Sequence, residues 1–227
     1  MTRVKICGLT TLEDAQQAVE LGAWALGMIF WPKSPRACPI EQAEAIGAQL
    51  HRRAELTGVF VNAPLDEVAT TADVCRFSML QLHGDEGPAY CQEAARRTGC
   101  KIVKAARVRD AAQVRALSAF HTDFHLLDAH SPKAPGGTGE SFDWELARLH
   151  PETPPVVLSG GLTPDNVAGA IAAARPFAVD TASGTEAEPG RKDPAKLTAF
   201  FRAVEAAGRV VAAASEAAGR ARGGASA

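Results

Sequence analysis

Short apolar segments alternate with longer segments of helical composition along almost the whole chain. The apolar segments are rich in Val, Ile, Leu or Phe and predict eight strands, at Val4–Cys7, Ala25–Phe30, Leu56–Val61, Met79–His83, Lys101–Ala105, Phe124–Asp128, Val156–Ser159 and Ala178–Asp180. Their spacing of about 20 to 32 residues fits a repeated unit of one strand, one helix and the connecting loops.

The segments between the strands predict eight helices. The first, Thr11–Leu21, begins with a Thr N-cap and two acidic residues in its first turn. The fourth, Asp85–Thr98, carries acids early and Arg96-Arg97 late, and Gly99 would end it. The other predicted helices are Ile40–Arg53, Leu65–Cys75, Asp110–Ala119, Trp144–Leu149, Asp165–Ala174 and Pro194–Ala207.

Eight alternating strands and helices predict a parallel α/β sheet with crossover connections. Such a sheet can close into a single (β/α)₈ TIM barrel or remain open and doubly wound. We favour the barrel, over residues 1–207, because no G-x-G-x-x-G motif follows the first strand. Residues 208–227 form an Ala/Gly/Arg-rich tail that we expect to extend the last helix and then fray.

Composition excludes several classes of function. The 227 residues include 24 Lys and Arg and 26 Asp and Glu, so the formal net charge is −2, without the basic excess typical of nucleic-acid or membrane-surface binding. Leu21–Trp31, the most apolar stretch, is well short of the roughly 20 residues that span a bilayer, and Met1–Gly8 lacks the apolar core of a signal peptide. We expect a cytoplasmic protein with no nucleic-acid or membrane partner.

The five cysteines are an odd number and include no C-x-x-C pair. We therefore expect neither a disulfide framework nor a structural zinc site, and we find no other set of metal ligands with suitable spacing. A reducing compartment fits this use of cysteine.

Polar residues follow the predicted strands, at the end where barrels carry their active sites. After strands 7 and 8 come Ser159-Gly160-Gly161 and Ser183-Gly184, whose backbone amides we predict to hold a phosphate. The alternative is that these are ordinary turn glycines. Gly136-Gly137-Thr138-Gly139 lacks the Lys-Ser/Thr of a P-loop, and we interpret it as a lid.

Cys7 and Asp128 lie at strand ends and are candidates for acid–base chemistry. A thiolate can take a proton from carbon, and a carboxylic acid can give one to oxygen. Taken alone, Cys7 is better explained as a small buried apolar residue and Asp128 as a cap or turn acid. Arg36 is either a clamp for a carboxylate or phosphate or a solvated loop charge. His83 either orients a ligand or stabilises its strand end.

Taken together and in order, these segments resemble the phosphoribosylanthranilate isomerases of tryptophan biosynthesis. The match runs from Val4 to about Pro194. The segments that carry it are Lys5-Ile6-Cys7-Gly8-Leu9-Thr10, Ser34-Pro35-Arg36, Gly58-Val59-Phe60-Val61-Asn62, Gln81-Leu82-His83-Gly84, Leu127-Asp128 with Gly136-Gly137-Thr138-Gly139, Phe142-Asp143-Trp144, Leu158-Ser159-Gly160-Gly161-Leu162, Asp165-Asn166-Val167, Val179-Asp180 and Ser183-Gly184.

The resemblance implies a TIM barrel that isomerises N-(5-phosphoribosyl)anthranilate to 1-(2-carboxyphenylamino)-1-deoxyribulose 5-phosphate by an Amadori rearrangement. It implies no cofactor or metal, a small phosphosugar substrate as the ligand, and a monomer or homodimer. Asp128 would be the general acid, Cys7 the general base and Arg36 the ligand of the anthranilate carboxylate. The phosphate would be held by Gly160, Gly161, Ser183 and Gly184. The site would also be lined by His83 and Asp180.

The chain departs from the resemblance at one point. Many relatives have two serines and a hydrophobic residue where the eighth strand ends, and here the run is Asp180-Thr181-Ala182-Ser183-Gly184-Thr185. Two other functions remain open. A phosphosugar isomerase acting on an aminoimidazole ribonucleotide typically uses two carboxylates, which Cys7 argues against. A non-catalytic phosphosugar sensor would need the phosphate loops but not both Cys7 and Asp128.

Lys5 has the same side-chain parity as Cys7, so both are expected to point into the barrel. A thiol with a pKa of about 8.5 is mostly protonated at neutral pH. A buried Lys5 ammonium, paired with Asp180 or another acid, would favour the thiolate. The alternative is that Lys5 extends to solvent at the bottom of the barrel.

Overall fold

A closed barrel of eight parallel strands, surrounded by helices, forms in a computed structural model that describes residues 1–128 and 144–223. The strands are β1 (Arg3–Ile6), β2 (Ala25–Ile29), β3 (Glu55–Phe60), β4 (Met79–Leu82), β5 (Lys101–Arg107), β6 (Phe124–Asp128), β7 (Val156–Ser159) and β8 (Ala178–Thr181). The TIM barrel predicted from the sequence is therefore confirmed, and the open sheet is excluded.

The helices pack around the barrel in chain order. They are α1 (Leu12–Glu20), α2 (Ile40–Leu50), α3 (Leu65–Val74), α4 (Pro88–Thr98), α5 (Ala111–Ala116), α6 (Val167–Ala174) and α7 (Pro194–Gly223). Three short 3₁₀ helices lie at Leu117–Ala119, Trp144–Leu149 and Ser183–Thr185. None of the helices in the described ranges is long and apolar enough to cross a membrane.

Closure of the barrel depends on the pairing of β1 with β8. Lys5 lies opposite Asp180 in that pairing and opposite Ala25 in the pairing with β2. Side chains at matched positions of parallel strands point to the same face. The register therefore brings Lys5 and Asp180 to the interior of the barrel.

Two apolar clusters stabilise this architecture. The larger lies between the strands and the helices, and the smaller fills the barrel with seven buried residues, Ala25, Met79, Val103, Ala105, Leu126, Val157 and Ala178. Trp24 packs edge-on against Phe124 and Phe177, with ring centroids 5.4 and 5.3 Å away, below the smaller cluster. Apolar packing thus occupies the lower part of the barrel and leaves the carboxyl ends of the strands for polar groups.

Local capping explains several helix ends. The Thr11 hydroxyl accepts a hydrogen bond from the backbone N–H of Asp14 at the start of α1. Gly99 ends α4 with a φ of 69°, a left-handed conformation that glycine adopts without strain. Both features were predicted from the sequence.

Several predicted helices differ in the structure, and α2 and α6 are shorter by three and two residues, at Ile40–Leu50 and Val167–Ala174. Helix α4 begins at Pro88 rather than Asp85, because the Glu86 carboxylate accepts hydrogen bonds from the backbone N–H groups of Asn62 and Gly84 and so belongs to the loop. The segment predicted as a helix over Asp110–Ala119 is α5 followed by a 3₁₀ turn, and Trp144–Leu149 is entirely 3₁₀. Such short segments complete few i-to-i+4 hydrogen bonds.

Two features lie after the barrel, and only the first was not expected. An antiparallel hairpin of β9 (Glu186–Glu188) and β10 (Arg191–Lys192), which was not predicted, follows β8. Helix α7 continues to Gly223, in line with the expectation that the tail extends the last helix. The predicted lid at Gly136–Gly139 lies outside the described residues.

Close helix packing at Gly47 gives a testable prediction. A β-carbon built on Gly47 of α2 would lie 2.2 Å from the carbonyl oxygen of Cys75, at the end of α3. We expect Gly47→Ala to lower the free energy of unfolding by about 1 to 3 kcal/mol through overpacking. Urea unfolding curves would measure the change.

Gly208 in α7 provides the matched control, since its nearest neighbour would be Met1 Cγ at 3.5 Å. Gly208→Ala should raise stability by up to about 1 kcal/mol, the usual helix preference for alanine. Equal stabilisation by both substitutions would show that α2 and α3 do not pack this closely.

Candidate active site

An ion pair buried inside the barrel joins β1 to β8. Lys5 Nζ donates to Asp180 Oδ1 at 2.8 Å, and the Ser159 hydroxyl donates to Asp180 Oδ2 at 3.1 Å. Lys5 is 1% exposed. The prediction that Lys5 points into the barrel and pairs with an acid is therefore confirmed, and of the acids left open the partner is Asp180.

The Cys7 thiol lies beside this ion pair. A β-carbon built on Gly27 would be 2.9 Å from Cys7 Sγ and 3.1 Å from Lys5 Nζ. Gly27 thus leaves the space that the thiol and the ammonium share. Burial raises the pKa of Cys7, while the Lys5 and Lys192 ammonium groups act in the opposite direction. The Lys5 effect has the sign expected from the sequence, although burial outweighs it.

Asp128, the last residue of β6, lies beside His83, which directly follows β4. His83 Nε2 is 3.4 Å from Asp128 Oδ2, and the buried Gln81 side chain donates from Nε2 to His83 Nδ1 at 2.8 Å. In this arrangement Nδ1 accepts, so the ring proton resides on Nε2 and faces the carboxylate. His83 also lines a cavity of about 500 Å³ that extends outward to α5.

Arg36 is paired rather than free. Its Nε lies 2.8 and 3.0 Å from the two carboxylate oxygens of Glu186, and its Nη2 lies 2.7 Å from Oε2. Its aliphatic part crosses Gly8, where a β-carbon would be 2.8 Å from Arg36 Cδ. Arg36 therefore lies directly against the residue that follows Cys7.

Lys192 on β10 is a buried cation that sequence reasoning missed. Its Nζ donates to the carbonyl oxygens of Cys7 at 2.7 Å and Ala182 at 3.0 Å, and lies 3.4 Å from Glu186 Oε1. Burial lowers its pKa. Glu186 was missed as well, because nothing local in the sequence relates either residue to Cys7 or Arg36, which are far away along the chain.

The loops after β7 and β8 adjoin each other. Gly160 and Gly161 have φ values of 104° and 65°, which favour glycine. A β-carbon on Gly184 would lie 1.9 Å from the carbonyl oxygen of Leu162, which also accepts a hydrogen bond from the Thr181 hydroxyl at 2.8 Å. Glycine at position 184 allows the two loops to lie close together, at the place where barrels often bind phosphate.

No group of three or more metal-ligating side chains is present in the described part of the chain. His125 on β6 contacts His150, with 2.7 Å between their ring nitrogens. Burial lowers the pKa of His125 to about 4. This pair lies outside the group of strand-end residues described above.

The geometry brings the Cys7 thiol, the Asp128 carboxyl group, two glycine loops and three cations, Lys5, Arg36 and Lys192, to one end of the barrel. Ser159 connects the Asp128–His83 pair with the Lys5–Asp180 pair. It lies opposite Asp128 in the β6–β7 register, and its hydroxyl donates to Asp180 on β8. Such a site can transfer protons between a bound anion's carbon and oxygen atoms.

Comparisons with known proteins agree on one family. Residues 4–203 match the family model described as N-(5'phosphoribosyl)anthranilate (PRA) isomerase. The chain is 49% identical over 206 residues, 91% of its length and 100% of the relative's, to the N-(5'-phosphoribosyl)anthranilate isomerase of Geobacter metallireducens.

Solved structures give the same result. The phosphoribosyl anthranilate isomerase of Thermotoga maritima is similar with a TM-score of 0.80 and 40% identity, over 91% of this chain and 100% of that one. A phosphoribosyl anthranilate isomerase in complex with reduced 1-(o-carboxyphenylamino)-1-deoxyribulose 5-phosphate has a TM-score of 0.78 and 38% identity, with the same coverage.

The position of Lys5 beside Cys7 predicts the effect of removing its charge. In Lys5→Met, the pKa of Cys7 should rise further, because the ammonium that favours the thiolate is lost. The pH midpoint for alkylation of Cys7 by iodoacetamide, followed by peptide mass spectrometry, should move to higher pH. Lys101→Met, at the half-exposed Lys101 near Glu55, is the control, and an unchanged profile in Lys5→Met would refute the effect.

Proposed function

The chain belongs to the N-(5'-phosphoribosyl)anthranilate isomerase family, and from this premise we propose how its own residues perform the reaction. The enzyme is an aldose–ketose isomerase of tryptophan biosynthesis that carries out an Amadori rearrangement. The observation that carries our assignment of roles is the placement of Cys7, beside Lys5 and Asp180, at the same barrel end as the Asp128–His83 pair and the two glycine loops.

Asp128 acts as the general acid in the first step. It gives its proton to the ribose ring oxygen as the bond between that oxygen and C1 breaks. The lone pair of the anthranilate nitrogen forms the C=N bond, so the product of this step is an open-chain Schiff base. His83 holds the resulting carboxylate with its Nε2 proton, across the 3.4 Å that separates the two groups.

Cys7 acts as the general base in the second step. Its thiolate takes the proton from C2, the electron pair forms a C1=C2 bond, and the C=N pair returns to nitrogen to give an enolamine. C1 then gains a proton from the Cys7 thiol and the C2 hydroxyl gives one to the Asp128 carboxylate, directly or through solvent, which yields the aminoketone and restores both groups. Substrate and product are isomers, so the balance of atoms and electrons needs no co-reactant. The Lys5 and Lys192 cations favour the thiolate that starts this step.

The remaining site residues bind the two ends of the substrate. Arg36 binds the anthranilate carboxylate through paired N–H groups. The backbone amides of Gly160, Gly161, Ser183 and Gly184 hold the phosphate, supported by the close approach of the two loops. Asp180, held by Lys5 and Ser159, lines the site between these ends.

We also propose a cytoplasmic location and a monomeric or homodimeric state. All five cysteines are buried free thiols, which is typical of a reducing compartment.

Substitution of the two proton-transfer groups tests the mechanism. The wild type should consume phosphoribosylanthranilate generated in place from anthranilate and phosphoribosyl pyrophosphate. Cys7→Ser and Asp128→Asn should each lower kcat by about 10² to 10⁴, the usual contribution of a positioned acid or base. The decrease in anthranilate-ring fluorescence of the substrate would report turnover.

Cys91→Ser on α4 and Asp73→Asn on α3 provide controls, because Cys91 is buried away from the strand ends and Asp73 is exposed. Both should retain wild-type kcat. A wild type that binds a phosphorylated ribose without turning it over would favour the sensor, and full activity in Cys7→Ser would remove Cys7 as the base.

The phosphate assignment predicts a specific loss of affinity. Gly184→Ala must displace the loop after β7, since its β-carbon would lie 1.9 Å from the Leu162 carbonyl oxygen. Inorganic phosphate should bind about tenfold more weakly, which corresponds to roughly one misplaced charge-assisted hydrogen bond. Isothermal titration calorimetry would measure this.

Gly87→Ala is the control, because a β-carbon there would have no neighbour within 4 Å and the φ of Gly87 is −80°. It should bind phosphate like the wild type. Equal affinity in Gly184→Ala and the wild type would place the phosphate elsewhere.

A further inference from the structure

Glu186, the first residue of β9, holds the guanidinium of Arg36 from one side. We propose that Glu186 is a positioning residue for substrate binding: it orients Arg36 so that the unused end of the guanidinium receives the carboxylate on the aromatic ring of the substrate. This inference rests on the proposed function, and it extends the site to a residue beyond those already given roles.

The hydrogen bonds define which part of Arg36 remains available. A guanidinium has five N–H donors in a rigid plane, arranged as a side fork of Nε and Nη2 and an end fork of Nη1 and Nη2. Glu186 occupies the side fork, with contacts of 2.8 and 3.0 Å to Nε and 2.7 Å to Nη2. The end fork retains one Nη2 donor and both Nη1 donors, enough to bind a second carboxylate through two parallel hydrogen bonds.

The aliphatic part of the Arg36 side chain also has a defined position, which places the end fork. The aliphatic chain crosses Gly8, so that Arg36 Cδ would be 2.8 Å from any β-carbon at that position. The Arg36 side chain is 22% exposed, whereas the Glu186 side chain is 4% exposed. The accessible part of the ion pair is therefore the arginine, next to the backbone of Cys7, and the carboxylate lies behind it.

Glu186 is itself held in place. The Lys192 ammonium lies 3.4 Å from its Oε1, and the backbone N–H of Gly190 donates to the same oxygen at 3.4 Å. The neighbouring cations keep the pKa of Glu186 low, against the effect of burial. Arg36, Lys192 and Glu186 have a formal charge sum of +1, so the side chains around the Arg36 end fork favour a bound carboxylate.

The same contacts are also compatible with a second role for Glu186, which is competition with the substrate. Glu186 could compete with the substrate carboxylate for Arg36, in which case its removal would tighten binding. The two roles predict changes of opposite sign in KM, so steady-state kinetics distinguishes them.

Glu186→Gln tests the proposal. The amide can accept one hydrogen bond from Nε but carries no charge and cannot hold both nitrogens of the fork. KM for phosphoribosylanthranilate should rise about tenfold while kcat stays within about twofold, the pattern for loss of uniform binding. Glu188→Gln, at an exposed position on the same strand, should leave both constants unchanged. An unchanged or lower KM in Glu186→Gln would overturn the positioning role.

A ligand without the ring carboxylate gives a readout that a purely structural role would not produce. The phosphoribosyl derivative of aniline lacks that group, and its affinity should be the same for the wild type and Glu186→Gln. Affinity for inorganic phosphate should also be unchanged. If the aniline derivative loses as much affinity as the substrate, Glu186 supports the loops in general rather than Arg36.

Glu186→Asp keeps the test valid if loss of the charge beside Lys192 prevents folding. The shorter carboxylate retains that charge but cannot reach both Arg36 nitrogens, so KM should again rise about tenfold. The proposed function is tested by a different result, because it is contradicted only if the wild type does not turn over phosphoribosylanthranilate. A wild type with normal turnover and two Glu186 variants with normal KM would exclude only the positioning role.

Discussion

The buried ion pair between Lys5 and Asp180 is the interaction on which the arrangement of the active site depends. Two charges are stable inside a barrel only when they lie close together and their remaining donors and acceptors are satisfied. Here the pairing of β1 with β8 sets the 2.8 Å contact, and Ser159 satisfies the second oxygen of Asp180. Because Cys7 lies two residues beyond Lys5, the closure of the barrel also sets the environment of the proposed base.

The barrel interior has an apolar lower part and a polar upper part, and this separation allows the Lys5–Asp180 pair to be buried. The lower part is filled by small and aliphatic side chains and closed by three aromatic rings, at Trp24, Phe124 and Phe177. The stability of the barrel therefore comes from its lower part and from the layer under the helices. The carboxyl ends of the strands can then hold charged groups whose burial costs free energy, such as Lys5, Asp180 and Lys192.

The hairpin after β8 joins parts of the site that the strands alone would leave separate. Through Lys192 it binds the carbonyl oxygen of Cys7, and through Glu186 it binds Arg36, which comes from the loop after β2. The electrostatics of the Cys7 thiol and the orientation of Arg36 thus depend on one short segment. In our proposal, the proton transfer at Cys7 and the recognition of the substrate carboxylate share this support.

The sequence alone determined the repeated strand–helix unit, the strands β6 and β7 to the residue, the N-cap of α1 and the shared side-chain parity of Lys5 and Cys7, because periodicity and parity are local properties. Which acid pairs with Lys5 was left open. Tertiary structure decided the rest. Glu86 binds loop amides instead of starting α4, and Glu186 and Lys192 reach Arg36 and Cys7 across 150 and 185 positions of the chain. Such contacts are set by the register in which the barrel closes, which no local pattern of residues encodes.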